Sequence, residues 1–258
     1  VNDIGVTLSL ELDGDAADGT NQLDSQSITF DLGDAGTLVF AGHGGSSAMS
    51  AVDDVMPTAY EEPWDVVSGA DADIINGHSG NNMFTYKYSH DSGVNVTAAY
   101  INAADAVTDV SYSDIGISYT GVDGLTVGYA QGTVDEVPAA NGTEVTGIDE
   151  STMFITYATG PITVGYQTSE ADGATATQDD ESTSFGISYA VTDDFSVSYG
   201  EHTLDLGSST SDQESEGFSA SYTMGGTSIK AAFNETTSVA GVNGTDREGY
   251  EIALVFAF

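Results

Sequence analysis

The sequence predicts an all-β chain folded as a transmembrane antiparallel β-barrel, and three observations predict it. Apolar residues recur at period 2 on one face of segment after segment, with no helical pattern between them to cover that face. Connections alternate strictly between short turns and long polar loops, and an aromatic residue closes most strands beside the short turns. The stretch 250–258 carries Tyr250, Ile252, Leu254, Phe256 and Phe258 on one face and Glu251, Ala253, Val255 and Ala257 on the other. A soluble sheet would bury such a face against a second layer. Nothing in the sequence supplies that layer, so the face meets lipid.

The elements follow in order. Val6, Leu8, Leu10 and Leu12 alternate with Thr7, Ser9 and Glu11 in a first strand, which ends in the acidic stretch 13–19. Ile28, Phe30 and Leu32 mark a second, and the tight turn 33–36 leads to a third at 37–42 with Leu38 and Phe40 outward. From 43 to 83 the alternation lapses, and Pro57, Pro63 and several glycines punctuate it. A connection this long is uncommon in a compact domain and is usually functional. Patterning resumes at 84–88 and, after a turn at 90–93, at Val94, Val96, Ala98 and Tyr100. A repeated hairpin follows: 115–119 with 125–129, 153–157 with 162–166, 185–189 with 195–199, and 218–222 with 227–233. Long stretches join these units at 131–150, 169–183, 204–217 and 235–248. The sum is about 14 strands, an even number as single-chain barrels have. One barrel domain covers 1–258, with 43–83 inserted between strands.

Composition narrows the chemistry. Lys+Arg 3 against Asp+Glu 41 gives a net charge of −38, which makes nucleic acid a poor partner. There is no cysteine, hence neither a disulfide framework nor a thiolate metal site. His43, His78, His90 and His202 lack metal-ligand spacing, and no G-x-S-x-G marks a nucleophile, so the chain does not read as an enzyme. No apolar run reaches the roughly 20 residues of a transmembrane helix. Thr7, Ser9, Thr85, Ser118, Thr126, Thr163, Ser188, Ser196, Ser198, Ser219 and Ser221 fall on the inward face and are too small and polar to fill an interior. Water occupies it, as a barrel of about 14 to 18 strands permits.

The hairpin pattern, the 252–258 terminus and the strand Gly36-Thr-Leu-Val-Phe-Ala-Gly-His43 leading to a loop with Ala51-Val-Asp-Asp-Val55 carry a resemblance. The chain resembles the trimeric general diffusion porins of Gram-negative outer membranes, of the alphaproteobacterial type. The resemblance spans essentially the whole chain through patterns rather than signature residues. It implies a sixteen-stranded barrel whose third loop folds inward as a constriction. Residues 37–42 then match the family's fifth strand, and the family's first two strands find no counterpart here. It implies a homotrimer, contacts with outer-membrane lipid and lipopolysaccharide, and passive diffusion of small hydrophilic solutes and ions. Phe256 and Phe258 become the terminal signal for the outer-membrane assembly machinery. Asp53, Asp54, Glu61, Glu62 and Asp65 become the pore constriction, with Trp64 as the loop anchor. Glu11, Lys87 and Lys230 have inward parity and become lumen wall, while Arg247 falls in an outer loop. The departure from the family is charge. Its constrictions set acidic loop residues against an Arg/Lys cluster, and this chain has three bases in all. A negative lumen prefers cations.

Blander readings compete. A solvated acidic loop accounts for Glu61, Glu62 and Asp65 about as well as a constriction does. The clusters at 179–181 and 212–216 offer oxygen ligands for Ca²⁺ that would bridge lipopolysaccharide, but plain hydrophilic outer loops explain them, and no cofactor is assigned. For the whole chain the alternatives are an outer-membrane structural or adhesin barrel with an occluded lumen, and an acidic soluble β-sandwich of a salt-adapted organism. A sandwich has no reason to keep long and short loops in strict alternation. That favours the barrel.

Overall fold

The period-2 segments pair in the order in which they occur. The computed structural model describes residues 4–12, 23–52, 55–70, 74–75, 79–80, 82–102, 111–135 and 147–256. Sixteen strands lie among them. They are β1 Gly5–Leu12, β2 Leu23–Asp31, β3 Thr37–His43, the two-residue β4 Gly45–Ser46 and β5 Ser79–Gly80, β6 Met83–Ser89, β7 Val94–Ile101 and β8 Tyr112–Val122. Then come β9 Leu125–Val134, β10 Ile148–Thr159, β11 Ile162–Asp172, β12 Asp180–Thr192, β13 Phe195–Leu206, β14 Gln213–Met224, β15 Thr227–Thr237 and β16 Arg247–Phe256. All but β4 and β5 form one 14-stranded sheet in sequence order. The strand number expected from the sequence is therefore the number observed.

Register keeps the faces aligned. Val6 and Leu8 lie opposite Phe30 and Ile28, which lie opposite Leu38 and Phe40 on the next strand. A slip of one residue would exchange the two faces of every strand, so the alternation itself fixes the pairing. Gly93, Gly124, Gly160 and Gly225 in the short turns take positive φ, where a side chain would be strained. The long connections are shorter than the sequence predicts, because the strands run on into them. The stretch read as a loop at 169–183 keeps only 173–179 outside β11 and β12, and 204–217 keeps only 207–212 outside β13 and β14. The reason is chemical. Beyond the lipid band the outward residues are Glu201, Asp205, Glu214 and Glu216, so hydrophobic alternation fades while backbone pairing continues.

The chain forms two compact units. The first takes Val1–Asp53, Ile75–Gly121 and Gly128–Ser151. There Met49, Met83 and Tyr112 are at most 1% exposed, whereas Leu8 and Ile117 on the opposite faces of their strands are 63% and 50% exposed. The second takes Asp54–Ile74, Val122–Val127 and Thr152–Phe258. Its buried face is mostly polar, with Thr152, Gln213, Asn234 and Thr236 beside the apolar Leu204 and Phe154, and its exposed face is apolar, with Met153, Phe218, Leu254 and Ile252. Polar inside and apolar outside is the inverse of a soluble core. Lipid is the solvent that this inversion fits.

Candidate functional site

Small residues on the inner face decide where the long loop lies. In the second unit, cross-strand pairing lines up Gly165, Gly186, Gly200 and Gly217 on β11–β14, then Asn234 on β15 and Gly249 on β16. The loop runs along this track. A Cβ at Gly165 would stand 2.6 Å from Pro57, one at Gly200 2.6 Å from Pro63, and one at Gly217 2.8 Å from the Cα of Pro63. Approach this close is available only over a residue without a side chain.

Hydrogen bonds then fix the loop to the same wall. The amides of Ala59 and Tyr60 donate to the hydroxyls of Ser198 and Ser219, at 2.9 and 3.0 Å, and those hydroxyls bond each other at 2.7 Å. The Asn234 side-chain amide donates to the Glu62 carbonyl at 2.6 Å. The Arg247 guanidinium donates to the Ser68 carbonyl. Ser198 and Ser219 are 8% and 6% exposed, so this part of the inner face is covered by loop where the sequence reading places water. Arg247 also differs from expectation: it is the first residue of β16, and its charge is spent holding the loop. Lack of an apolar neighbour had hidden the start of that strand.

In the first unit another stretch of the loop meets the wall. The Asp114 carboxylate, 6% exposed on β8, accepts from the Met49 amide at 2.8 Å, the Ala99 amide at 2.9 Å and the Tyr112 hydroxyl at 3.2 Å. The Thr85 hydroxyl donates to the Ser46 carbonyl at 3.2 Å. Three donors on one carboxylate offset the cost of burying its charge.

Of the residues singled out from sequence, Glu61, Glu62, Trp64 and Asp65 come together on the loop of the second unit. The Glu62 amide donates to the Asp65 carboxylate at 2.8 Å, which closes a tight bend. Trp64 packs on His202 with ring centroids 4.3 Å apart. Lys230 joins them, its ammonium 5.1 Å from the centroid of the Tyr60 ring. Desolvation raises the Glu61 carboxyl above the usual carboxylate range, opposed by a hydrogen bond from Tyr60 and reinforced by Asp65. The Tyr60 hydroxyl donates to Glu251, and that bond raises its pKa. Glu11 lies on β1, where it accepts from the Ser25 hydroxyl at 3.0 Å. Lys87 is exposed on β6, and its carbonyl faces Gly36 at the short-turn end. Phe256 is 51% exposed at the end of β16. Asp53, Asp54 and Phe258 lie outside the described residues.

Sequence reasoning missed Asp114, Glu251, Asn234 and the glycine track. The signal was present: each is at inward parity, and the glycines recur on successive strands at matching heights. Only the register shows that they are neighbours.

A profile of Gram-negative porins matches residues 2–241. Among solved structures, the chain is similar to the anion-selective porin of Comamonas acidovorans, with a TM-score of 0.69 at 17% identity over 97% of this chain and 83% of that one. It is similar to OmpT of Vibrio cholerae in its trimer form, with a TM-score of 0.70 at 13% identity over 100% and 87%. A triple mutant of the Rhodopseudomonas blastica porin gives 0.61 at 16% over 99% and 84%. No curated protein matches.

Proposed function

The chain belongs to the Gram-negative porin family, a channel of the bacterial outer membrane and not an enzyme, and from that premise we propose that it passes small hydrophilic solutes and ions by passive diffusion with a preference for cations. The observation that carries the preference is the use made of the bases. Lys230 and Arg247, two of the three in the chain, are engaged with the loop, at the Tyr60 ring and the Ser68 carbonyl. Glu61, Glu62, Asp65 and Glu251 stand in the same neighbourhood, so the local excess is negative. Carboxylates lining a narrow aqueous passage lower the energy of cations and raise that of anions. Asp53 and Asp54, outside the described residues, are assigned to the constriction on the sequence resemblance alone.

Trp64 acts as the loop anchor, and Glu11 and Lys87 as lumen wall, in one domain over 1–258. The homotrimer is part of the proposal, supported by likeness to an outer membrane protein whose structure is a trimer form. So are outer-membrane lipid as the surrounding partner and Phe256 with Phe258 as the feature read by the assembly machinery. The Comamonas porin is described as anion-selective, but at 17% identity it speaks for fold alone.

Single-channel recording across a salt gradient tests the reading. A reversal potential toward the cation Nernst value, with openings in groups of three, is expected. A reversal toward the anion value sinks the preference. Folded, heat-resistant protein without conductance points instead to an occluded structural barrel.

A further inference from the structure

Two rows of side chains adjoin on the outer face of β13–β16, the face turned away from the loop. Pairing sets Tyr199, Phe218, Phe233 and Tyr250 side by side, one per strand. Two residues nearer the long-loop ends, the same face carries Glu201, Glu216, Glu235 and Glu248, each directly opposite the next. All four are exposed. Two residues the other way the row is Val197, Ala220, Ala231 and Ile252. Its small members leave an apolar groove of about 560 Å³ beside the rings. Glu201, Glu214, Glu216 and Glu235 line a second hollow of about 410 Å³.

Like charges directly opposite one another destabilise a sheet. Among the described residues the relief is one hydroxyl, whose single proton is shared: the Tyr199 oxygen lies 2.7 Å from Glu201 and 3.0 Å from Glu216. The bases of β15 and β16, Lys230 and Arg247, are directed to the loop on the opposite face. The cation that complements the row therefore comes from outside. Among the described residues no three carboxylates or imidazoles converge to hold a metal ion, so the charge is strung along the sheet rather than focused on a chelated ion. An ammonium group, which needs only adjacent acceptors, suits that spread.

We propose that the groove holds the acyl chain of an amphiphile with an amine-bearing head, the chain beside the ring row and the protonated amine on the carboxylates. The proposal rests on the reading that this face meets lipid.

The test is spin-label immobilisation in phosphatidylcholine vesicles containing the full chain. Three probes are compared: a labelled stearylamine, a labelled stearic acid and a labelled phosphatidylcholine. The stearylamine is expected to be immobilised about fivefold more than the phosphatidylcholine probe at low salt, the effect of about one charge held at the membrane surface. The pair E216Q/E235Q should bring that ratio near one, and the pair A220F/A231F, which fills the groove, should lower it as well. The pair E170Q/E181Q, two carboxylates removed from the groove, should leave it unchanged. A preference that survives E216Q/E235Q, or falls equally with E170Q/E181Q, reflects diffuse charge and overturns the proposal. Insensitivity of every probe to A220F/A231F, with a change in oligomer mass by light scattering, assigns the groove to a second copy and also overturns it. If no probe is immobilised at all, the protein has not entered the bilayer, and the pore reading falls first.

Discussion

At Gly249 an added Cβ would stand 1.9 Å from the carbonyl oxygen of Val66, closer than any real contact. Gly249→Val must therefore push the loop off the wall or bend β16. Overpacking of this kind costs about 1–3 kcal/mol. We expect a larger single-channel conductance from G249V than from the parent, and an unchanged conductance would remove the loop from the passage. Glu61 gives a prediction in pH. Its carboxyl is raised by desolvation, so the seated loop favours the protonated form. The corresponding stability is fully present below the ordinary carboxylate pKa and is lost as pH rises through the raised value. Limited proteolysis of the loop should thus slow on acidification from neutral pH, and Glu61→Gln should abolish that dependence while protecting the loop at pH 7. Faster cleavage in acid would contradict the sign.

The strands were legible, and so was the inserted loop, but not its seat on the wall. Ile115 and Ile117, or Phe218 and Tyr222, announce a strand because lipid demands an apolar residue at every second position, and exposures of 43–61% on these residues show that demand being met. Where lipid stops, the demand stops, so the upper halves of β12–β14 read as loops. The site is harder still. Ser198 and Ser219 look like wetted wall, since a serine facing water and one receiving a buried amide are the same letter. Asn234 and Glu251 are separated from the loop by some 170 residues or more of chain, and only the register brings them to Glu62 and Tyr60. The two serines are testable together. Ser198→Ala with Ser219→Ala removes the acceptor of the Ala59 amide, at about 1–3 kcal/mol for a group left unsatisfied, and leaves the Tyr60 amide only the Thr58 hydroxyl at 3.3 Å. Hydrogen exchange at those two amides should accelerate, with the strand amides of β13 and β14 unchanged. Uniform acceleration would mean that the serines hold the sheet and not the loop.

Taken whole, a chain with a net charge of −38 in water must keep its carboxylates apart or neutralised. Salt screens such charges over about 10 Å at 0.1 M and about 3 Å at 1 M. Cation preference should accordingly decline as bath salt rises from 0.1 to 1 M, measured as reversal potential at a fixed concentration ratio. A preference that persists at 1 M would locate selectivity in direct contact with Glu61 and Asp65 rather than in the field of the molecule. The manner in which the loop is held carries one more consequence. The wall grips it through the amides of Ala59 and Tyr60, the carbonyls of Glu62 and Ser68, and the main chain beside Gly217 and Gly249. At these points it reads backbone, while Tyr60, Trp64 and Asp65 keep side-chain contacts with Glu251, His202 and the Glu62 amide. On the proposed reading the loop is a cartridge with fixed pins: its lettering can be rewritten at 61 and 62 without refitting the housing, which makes this chain a scaffold for pores of chosen selectivity.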